Sequence, residues 1–117
     1  MATFTKYPLS GSTNGKQIVV AATAIGSGTT IHTAVSGTSS WDEVWLFANN
    51  ITTSTIRLTI GWGGTSNSDL NIIDIPANQG KVLIAAGELL QNGLVIKAAA
   101  GTANVVNITG FVNRITA

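Results

Sequence analysis

Charge is scarce in this sequence. Charged residues make up 9% of it, against about 25% in an average soluble protein. Six Lys and Arg nearly balance five Asp and Glu, leaving a formal net charge of +1. No basic run stands out, which argues against nucleic acid as a partner. Cysteine is absent, so neither a disulfide framework nor a thiolate metal site is available. Histidine occurs once, at position 32. No apolar run approaches the ~18 residues that a bilayer span requires. The opening Met1-Ala2-Thr3-Phe4-Thr5-Lys6 lacks the apolar stretch of a secretory signal. The expectation is a soluble protein made in the cytoplasm, without a membrane partner.

Thr, Ser, Asn and Gly take the place of the missing charge, while apolar residues hold an ordinary 44%. Thr, Val and Ile are stiff at χ1 and favour pleated sheet; Gly and Asn suit turns. So small a net charge gives little self-repulsion and little protection against association. A surface covered in a working assembly is therefore expected, the alternative being a monomer hydrated through its hydroxyls and amides.

At 117 residues the chain fits one domain. Residues 1–15 read as an extended N-terminal arm, because Tyr7-Pro8 and Ser10-Gly11-Ser12-Thr13-Asn14-Gly15 are loop signals. Phe4, Tyr7 and Leu9 could dock such an arm on a neighbouring subunit. The β domain then spans 16–117, with strands expected at 16–25, 29–35, 41–48, 55–62, 70–75, 79–86, 94–99 and 103–116. The 55–62 stretch alternates cleanly: Ile56, Leu58, Ile60 and Trp62 against Thr55, Arg57, Thr59 and Gly61, the mark of a half-buried strand. Gly110 interrupts the last strand and suggests a bulge or bend. The best helix candidate, 85–91, is a turn or two at most. Short strands at this spacing predict an all-β, single-domain antiparallel β-sandwich, jelly-roll-like, with an immunoglobulin-like sandwich as the alternative.

Chemistry is hard to assemble from this inventory. Asp42 and Glu43 are neighbours on a strand and point to opposite faces, so they read as charges at a strand start rather than a catalytic pair. His32, alternating with Ile31 and Thr33, reads as a polar residue of a strand face or interface. Asp69 and Asp74 supply too few carboxylates for Ca²⁺. Gly61-Trp62-Gly63-Gly64 lacks the lysine and following helix of a phosphate loop. No catalytic residue, cofactor site or metal site is assigned, and no enzymatic activity is expected.

The aromatic residues are more informative. Trp41, Trp45 and Trp62 could form a platform for a sugar face, or serve as core or interface anchors. Trp41, Glu43, Trp45 and Phe47 share one face of their strand; Asp42, Val44, Leu46 and Ala48 share the other. The last strand repeats the pattern, with Val106, Ile108 and Val112 opposite Val105, Phe111 and Ile115. A strand apolar on both faces is covered on both. In a two-layer sandwich one of those covers must come from another element or another chain. The candidate interface residues are Phe4, Tyr7, Trp41, Trp45, Phe47 and Phe111.

Four stretches carry a resemblance: Gly28-Thr29-Thr30-Ile31-His32-Thr33-Ala34; Trp41-Asp42-Glu43-Val44-Trp45-Leu46-Phe47-Ala48-Asn49; Leu58-Thr59-Ile60-Gly61-Trp62-Gly63-Gly64-Thr65; and the end, Asn92-Gly93-Leu94-Val95-Ile96-Lys97-Ala98 through Gly110-Phe111-Val112-Asn113-Arg114-Ile115. In style and order, over residues 28–117, they resemble small virion structural proteins of tailed bacteriophages, closest to capsid decoration, or cement, proteins. That resemblance implies a β-sandwich or jelly roll, often a homotrimer, located on the capsid surface of the virion. Such a protein binds the outside of the shell and stabilises it by bridging major capsid protein subunits. It transfers no catalytic residues. The alternatives are a phage fibre or tail binding module recognising a host glycan, and another assembly component such as a tail or connector protein.

Overall fold

The computed structural model describes residues 2–116. Nine strands account for most of them: β1 (Thr3–Pro8), β2 (Ile18–Val19), β3 (Thr29–Thr33), β4 (Ser40–Asn50), β5 (Ile56–Trp62), β6 (Leu70–Ile75), β7 (Val82–Leu90), β8 (Val95–Ala100) and β9 (Val106–Thr116). Two short 3₁₀ turns, Ile25–Ser27 and Asn67–Asp69, are the only helical elements among the described residues. No helix there is long and apolar enough to cross a membrane.

All pairings are antiparallel and fall into two sheets. The larger sheet runs β1-β9-β4-β7, with β2 also on β9; the smaller runs β3-β8-β5-β6. β1 and β2 follow each other along one edge of β9, Pro8 opposite Phe111 and then Ile18 opposite Ile108. They act as one edge strand interrupted by an excursion over residues 9–17. With that strand counted once, eight strands lie in two four-stranded sheets and the chain crosses between the sheets at every connection but β5–β6. This is a jelly-roll β-sandwich; the immunoglobulin-like strand order does not occur.

Residues 1–15 were expected to be an arm outside the sandwich. Met1 lies outside the described residues. Thr3 to Pro8 instead pairs with β9 over six residues, placing Thr3 beside Thr116, which in turn faces Ser40 across β9 and β4. Pro8 sits at the end of an edge strand, where a missing N–H does no harm. Leu9 is fully buried in the core, and the Gly11 N–H donates to the Ile31 carbonyl of the opposite sheet. The excursion therefore closes the sandwich at this edge.

The core lies between the sheets, with Val44, Leu46 and Ala48 of β4 and Val106, Ile108 and Val112 of β9 facing Leu58 and Ile60 of β5 and Ile96 and Ala98 of β8. The turn after β4 is built around buried Asn50. Its Nδ2 donates to the Ser54 and Ile75 carbonyls at 2.7 and 2.9 Å, and its Oδ1 accepts from the Thr52 N–H and hydroxyl at 2.9 and 2.8 Å.

Two further expectations are corrected. Residues 85–90 are strand, not helix, because they belong to β7, which pairs with β4 from Asp42 to Ala48. Gly110 causes no register shift, since β9 pairs continuously with β4. It is required because a β-carbon there would run into the Trp45 carbonyl oxygen. The irregularities lie instead on β7, where the register with β4 shifts between Val44 and Trp45 and again between Leu46 and Phe47.

Candidate functional site

The outward face of the larger sheet gathers most of the aromatic residues. Cross-strand register places side chains on this face in ranks. Phe4, Ile115 and Trp41 form one rank; Lys6, Asn113, Glu43 and Leu89 the next. Pro8, Phe111, Trp45 and Ala86 follow, then Thr109, Phe47 and Leu83, then Val19, Asn107 and Asn49. Phe4 is 67% exposed, Trp41 41% and Leu83 53%, while Trp45, Phe47 and Phe111 are half-buried.

The middle of this face is held rigid. The Trp45 indole and the Phe111 ring lie nearly parallel, with centroids 6.0 Å apart and an interplanar angle of 12°. The Lys6 ammonium sits 4.3 Å from the Phe111 ring centroid, a cation–π contact. Trp45 Nε1 donates to Glu43 Oε1 at 2.9 Å, and Asn113 Nδ2 donates to the same oxygen at 3.0 Å. These two bonds, Asn113 first, lower the Glu43 pKa. The indole lies against Gly87, at φ 74°, where a β-carbon would come within 3.2 Å of the ring. A flat, braced aromatic surface loses little side-chain entropy when it is covered, as recognition surfaces require.

The other sheet is different. Its outward face carries Thr30, Lys97, Thr59 and the ion pair Arg57–Asp74, with Arg57 Nε 2.8 Å from Asp74 Oδ1, and Ile72 as its exposed large hydrophobic. One side of the sandwich is thus polar and the other aromatic.

Of the six sequence candidates, Phe4, Trp41, Trp45, Phe47 and Phe111 lie on this one face. Tyr7 does not. It alternates to the inner side of β1, at the sheet edge, where its ring lies 4.7 Å from the Arg114 guanidinium carbon. Trp62 is also separate, on the inner side of β5 opposite buried Ile96, so the three tryptophans form no common platform. Leu83 and Leu89 belong to the face and were missed. Leu83 was legible in its alternation with Val82 and Ile84; Leu89 was hidden by the helical reading of 85–91.

His32 was read as a polar residue of a strand face or interface and Asp42 as a charge at a strand start, sharing a face with Val44, Leu46 and Ala48; both are buried, His32 1% exposed and Asp42 0%. The register of β3 against β8 shifts between Thr30 and His32. That break in alternation turns both Ile31 and His32 inward. His32 Nδ1 accepts from the Ser10 N–H at 3.0 Å, so Nε2 carries the hydrogen and donates to Asp42 Oδ2 at 2.7 Å. Arg114 closes the cluster from β9, with Nε 2.8 Å from Asp42 Oδ1 and Nη2 3.1 Å from Oδ2. The Val35 N–H adds a bond to Oδ2 at 3.0 Å. Burial works against the Asp42 charge, but Arg114, His32 and the Val35 N–H together hold its pKa below the usual carboxylate value. The Arg114 pKa is raised, chiefly by its bonds to Asp42.

This is not a nucleophilic triad. The Ser10 hydroxyl oxygen accepts from the Thr33 N–H at 2.7 Å and does not meet the imidazole, and both ring nitrogens are already engaged. The cluster ties the excursion after β1 to β3, β4 and β9. Asp69 caps the turn Asn67–Asp69 through Ser66, and Asp74 pairs with Arg57, so the two do not share a site. Among the described residues no group of three or more His, Asp or Glu could hold a metal ion.

Comparison of the chain with protein families, with curated proteins and with solved structures finds no match.

Proposed function

We infer that this chain is a structural, non-catalytic protein that works by adhesion. In this reading it is a virion decoration protein that binds the outside of a phage capsid and bridges major capsid protein subunits. It associates with copies of itself, as a homotrimer, through the outward face of its larger sheet. The observation that carries the reading is the rank-by-rank aromatic surface of Trp41, Trp45, Phe47 and Phe111, flanked by exposed Phe4 and Leu83. Aromatic and aliphatic side chains gathered on one face, here interrupted by the polar rank of Lys6, Asn113 and Glu43, mark an interaction site. The partner and the setting come from the resemblance of residues 28–117 to decoration proteins. Many modest contacts repeated over a shell add up through multivalency. A low-charge surface rich in hydroxyls and amides suits the polar rims of such interfaces.

Light scattering of the purified chain over a range of concentrations tests the self-association. A trimer is expected, reverting to monomer in Trp41→Ser/Phe47→Ser. A parent protein that stays monomeric at high concentration overturns it. Co-sedimentation with empty capsids of the cognate major capsid protein tests the bridging role, and a chain left wholly in the supernatant rules it out. A monomer with measurable affinity for sugars would support the alternative, a fibre or tail module reading a host glycan through the same exposed rings.

A further inference from the structure

Beyond Phe47, the outward face of the larger sheet changes character. Thr109 shares the Phe47 rank, the next carries Val19, Asn107 and Asn49, and a shallow groove opens there between two turns. One wall is Lys16 and Gln17, after the left-handed residues Asn14 and Gly15; the other is Lys81, after left-handed Asn78 and Gly80. Lys16, Gln17 and Lys81 are exposed, and Asn49, Asn107 and Thr109 are half-buried on the floor. None of these six side chains makes a hydrogen bond or salt bridge to another described residue. Two cations, one with the Gln17 amide beside it, therefore flank a floor of two side-chain amides and a hydroxyl, with no carboxylate among the groove residues.

Among the described residues most side-chain carboxylates are already engaged. The chain has five acidic side chains. Asp42 is buried against Arg114, Glu43 accepts from Trp45 and Asn113, Asp69 caps its turn, and Asp74 holds Arg57. Glu88 is the one exposed carboxylate without a polar partner among the described residues. A second copy thus has a single free side-chain carboxylate to offer two lysines.

We propose that the groove between Lys16 and Lys81 is a docking site for an extended, carboxylate-bearing segment of a different protein. The lysines pair with its acidic side chains. The Gln17, Asn49 and Asn107 amides, each both donor and acceptor, meet the N–H and C=O groups of an extended backbone. The proposal rests on the reading of the chain as an adhesive protein, and it names the chemistry of the partner. The aromatic ranks serve self-association and the adjoining groove serves the foreign surface.

The test uses the full-length chain, isotopically labelled, titrated with hexaglutamate and followed by amide chemical shifts. Shifts confined to Lys16, Gln17, Asn49, Lys81, Asn107, Thr109 and their neighbours are expected, and weaker binding as salt rises. Lys16→Ala/Lys81→Ala should weaken binding by about tenfold or more, the scale of a lost charge-assisted contact, while leaving the melting temperature and the light-scattering mass unchanged. Hexaglutamine should produce no shifts. Absence of shifts with hexaglutamate overturns the proposal, as do shifts centred elsewhere or binding that survives the double variant. Tighter binding of an oligogalacturonate than of the peptide also overturns it, by making the groove a site for acidic sugar. Light scattering of the unliganded chain judges the self-association separately. Trp41→Ser/Phe47→Ser should bind hexaglutamate as the parent does, so the two readings can fail independently.

Discussion

Arg114 and Asp42 face each other across neighbouring strands as a two-pronged ion pair on the inner side of the larger sheet, at 2.8 and 3.1 Å. Removing one partner strands the other in a site where Asp42 has no exposed surface. Breaking a buried pair in this way costs about 3–5 kcal/mol. Arg114→Leu is therefore expected to lower the urea unfolding free energy by about that amount. Replacing both partners with apolar residues of similar volume removes the lone charge but leaves the buried His32 Nε2–H and the Val35 N–H without their acceptor, so it should recover only part of that loss. Equilibrium denaturation of the single and double variants measures the difference.

Acid should loosen the same cluster. Asp42 has a lowered pKa in the folded chain, so its contribution to stability is complete above the unfolded carboxyl value of about 4. That contribution is lost as the pH falls through the lower folded value. The stability gap between the parent and Asp42→Asn should be constant from neutral pH to about pH 5 and should narrow below about pH 4. A gap independent of pH down to full acid unfolding would contradict this account.

Gly110 should accept no side chain. A β-carbon at this position meets the Trp45 carbonyl oxygen, a backbone atom that cannot swing aside. Gly110→Ala is expected to separate β9 from β4 locally and to cost at least the ~1–3 kcal/mol typical of overpacking. Gly87→Ala combines a left-handed φ of 74° with a 3.2 Å approach to the Trp45 ring, and should shift the near-ultraviolet circular dichroism of that indole as well as the melting temperature.

The two faces of β4 should answer differently to truncation. Leu46→Ala empties a fully enclosed core site and is expected to cost about 2–5 kcal/mol. Trp41→Ala, on the exposed face, should cost well under that in the monomer and act instead on self-association. Comparable losses of monomer stability for the two would mean that the aromatic face is core rather than interface.

Asn50 offers a sharper polar test. Both amide hydrogens go to carbonyls and its oxygen accepts twice. Asn50→Asp keeps the shape but turns a carboxylate toward the Ser54 and Ile75 oxygens. A buried charge facing acceptors is more costly than an unmade neutral bond. Thermal unfolding should rank the parent first, Asn50→Ser next and Asn50→Asp last.

Much of the sandwich was legible because period-two alternation survives in the chain. The strand expected at 70–75 is observed at Leu70–Ile75, and that expected at 55–62 at Ile56–Trp62. The alternation of β4 correctly separated the outward Trp41, Trp45 and Phe47 from the inward Val44, Leu46 and Ala48. The failures occur where alternation breaks or is masked. The bulge between Thr30 and His32 inverts the expected side of His32. β1 is exposed along its whole length, so it has no buried face to announce it, and only its backbone pairing with β9 makes it a strand. Ala85-Ala86-Gly87-Glu88-Leu89 carries helix-forming residues, and tertiary pairing overrides that preference. The Lys16–Lys81 groove joins turns far apart in sequence and left no local signal.

The pairing of Thr3 with Thr116, beside Ser40, means that both ends of the sandwich leave from the same pole, next to Phe4 and Trp41. A fusion partner attached at either end would crowd those rings and leave the lysine groove at the far end open. Were the two ends joined by a short linker, new termini could be opened in a surface turn at the opposite pole, such as Gly101-Thr102 before β9. In such a permuted chain the aromatic pole would be free of any tag.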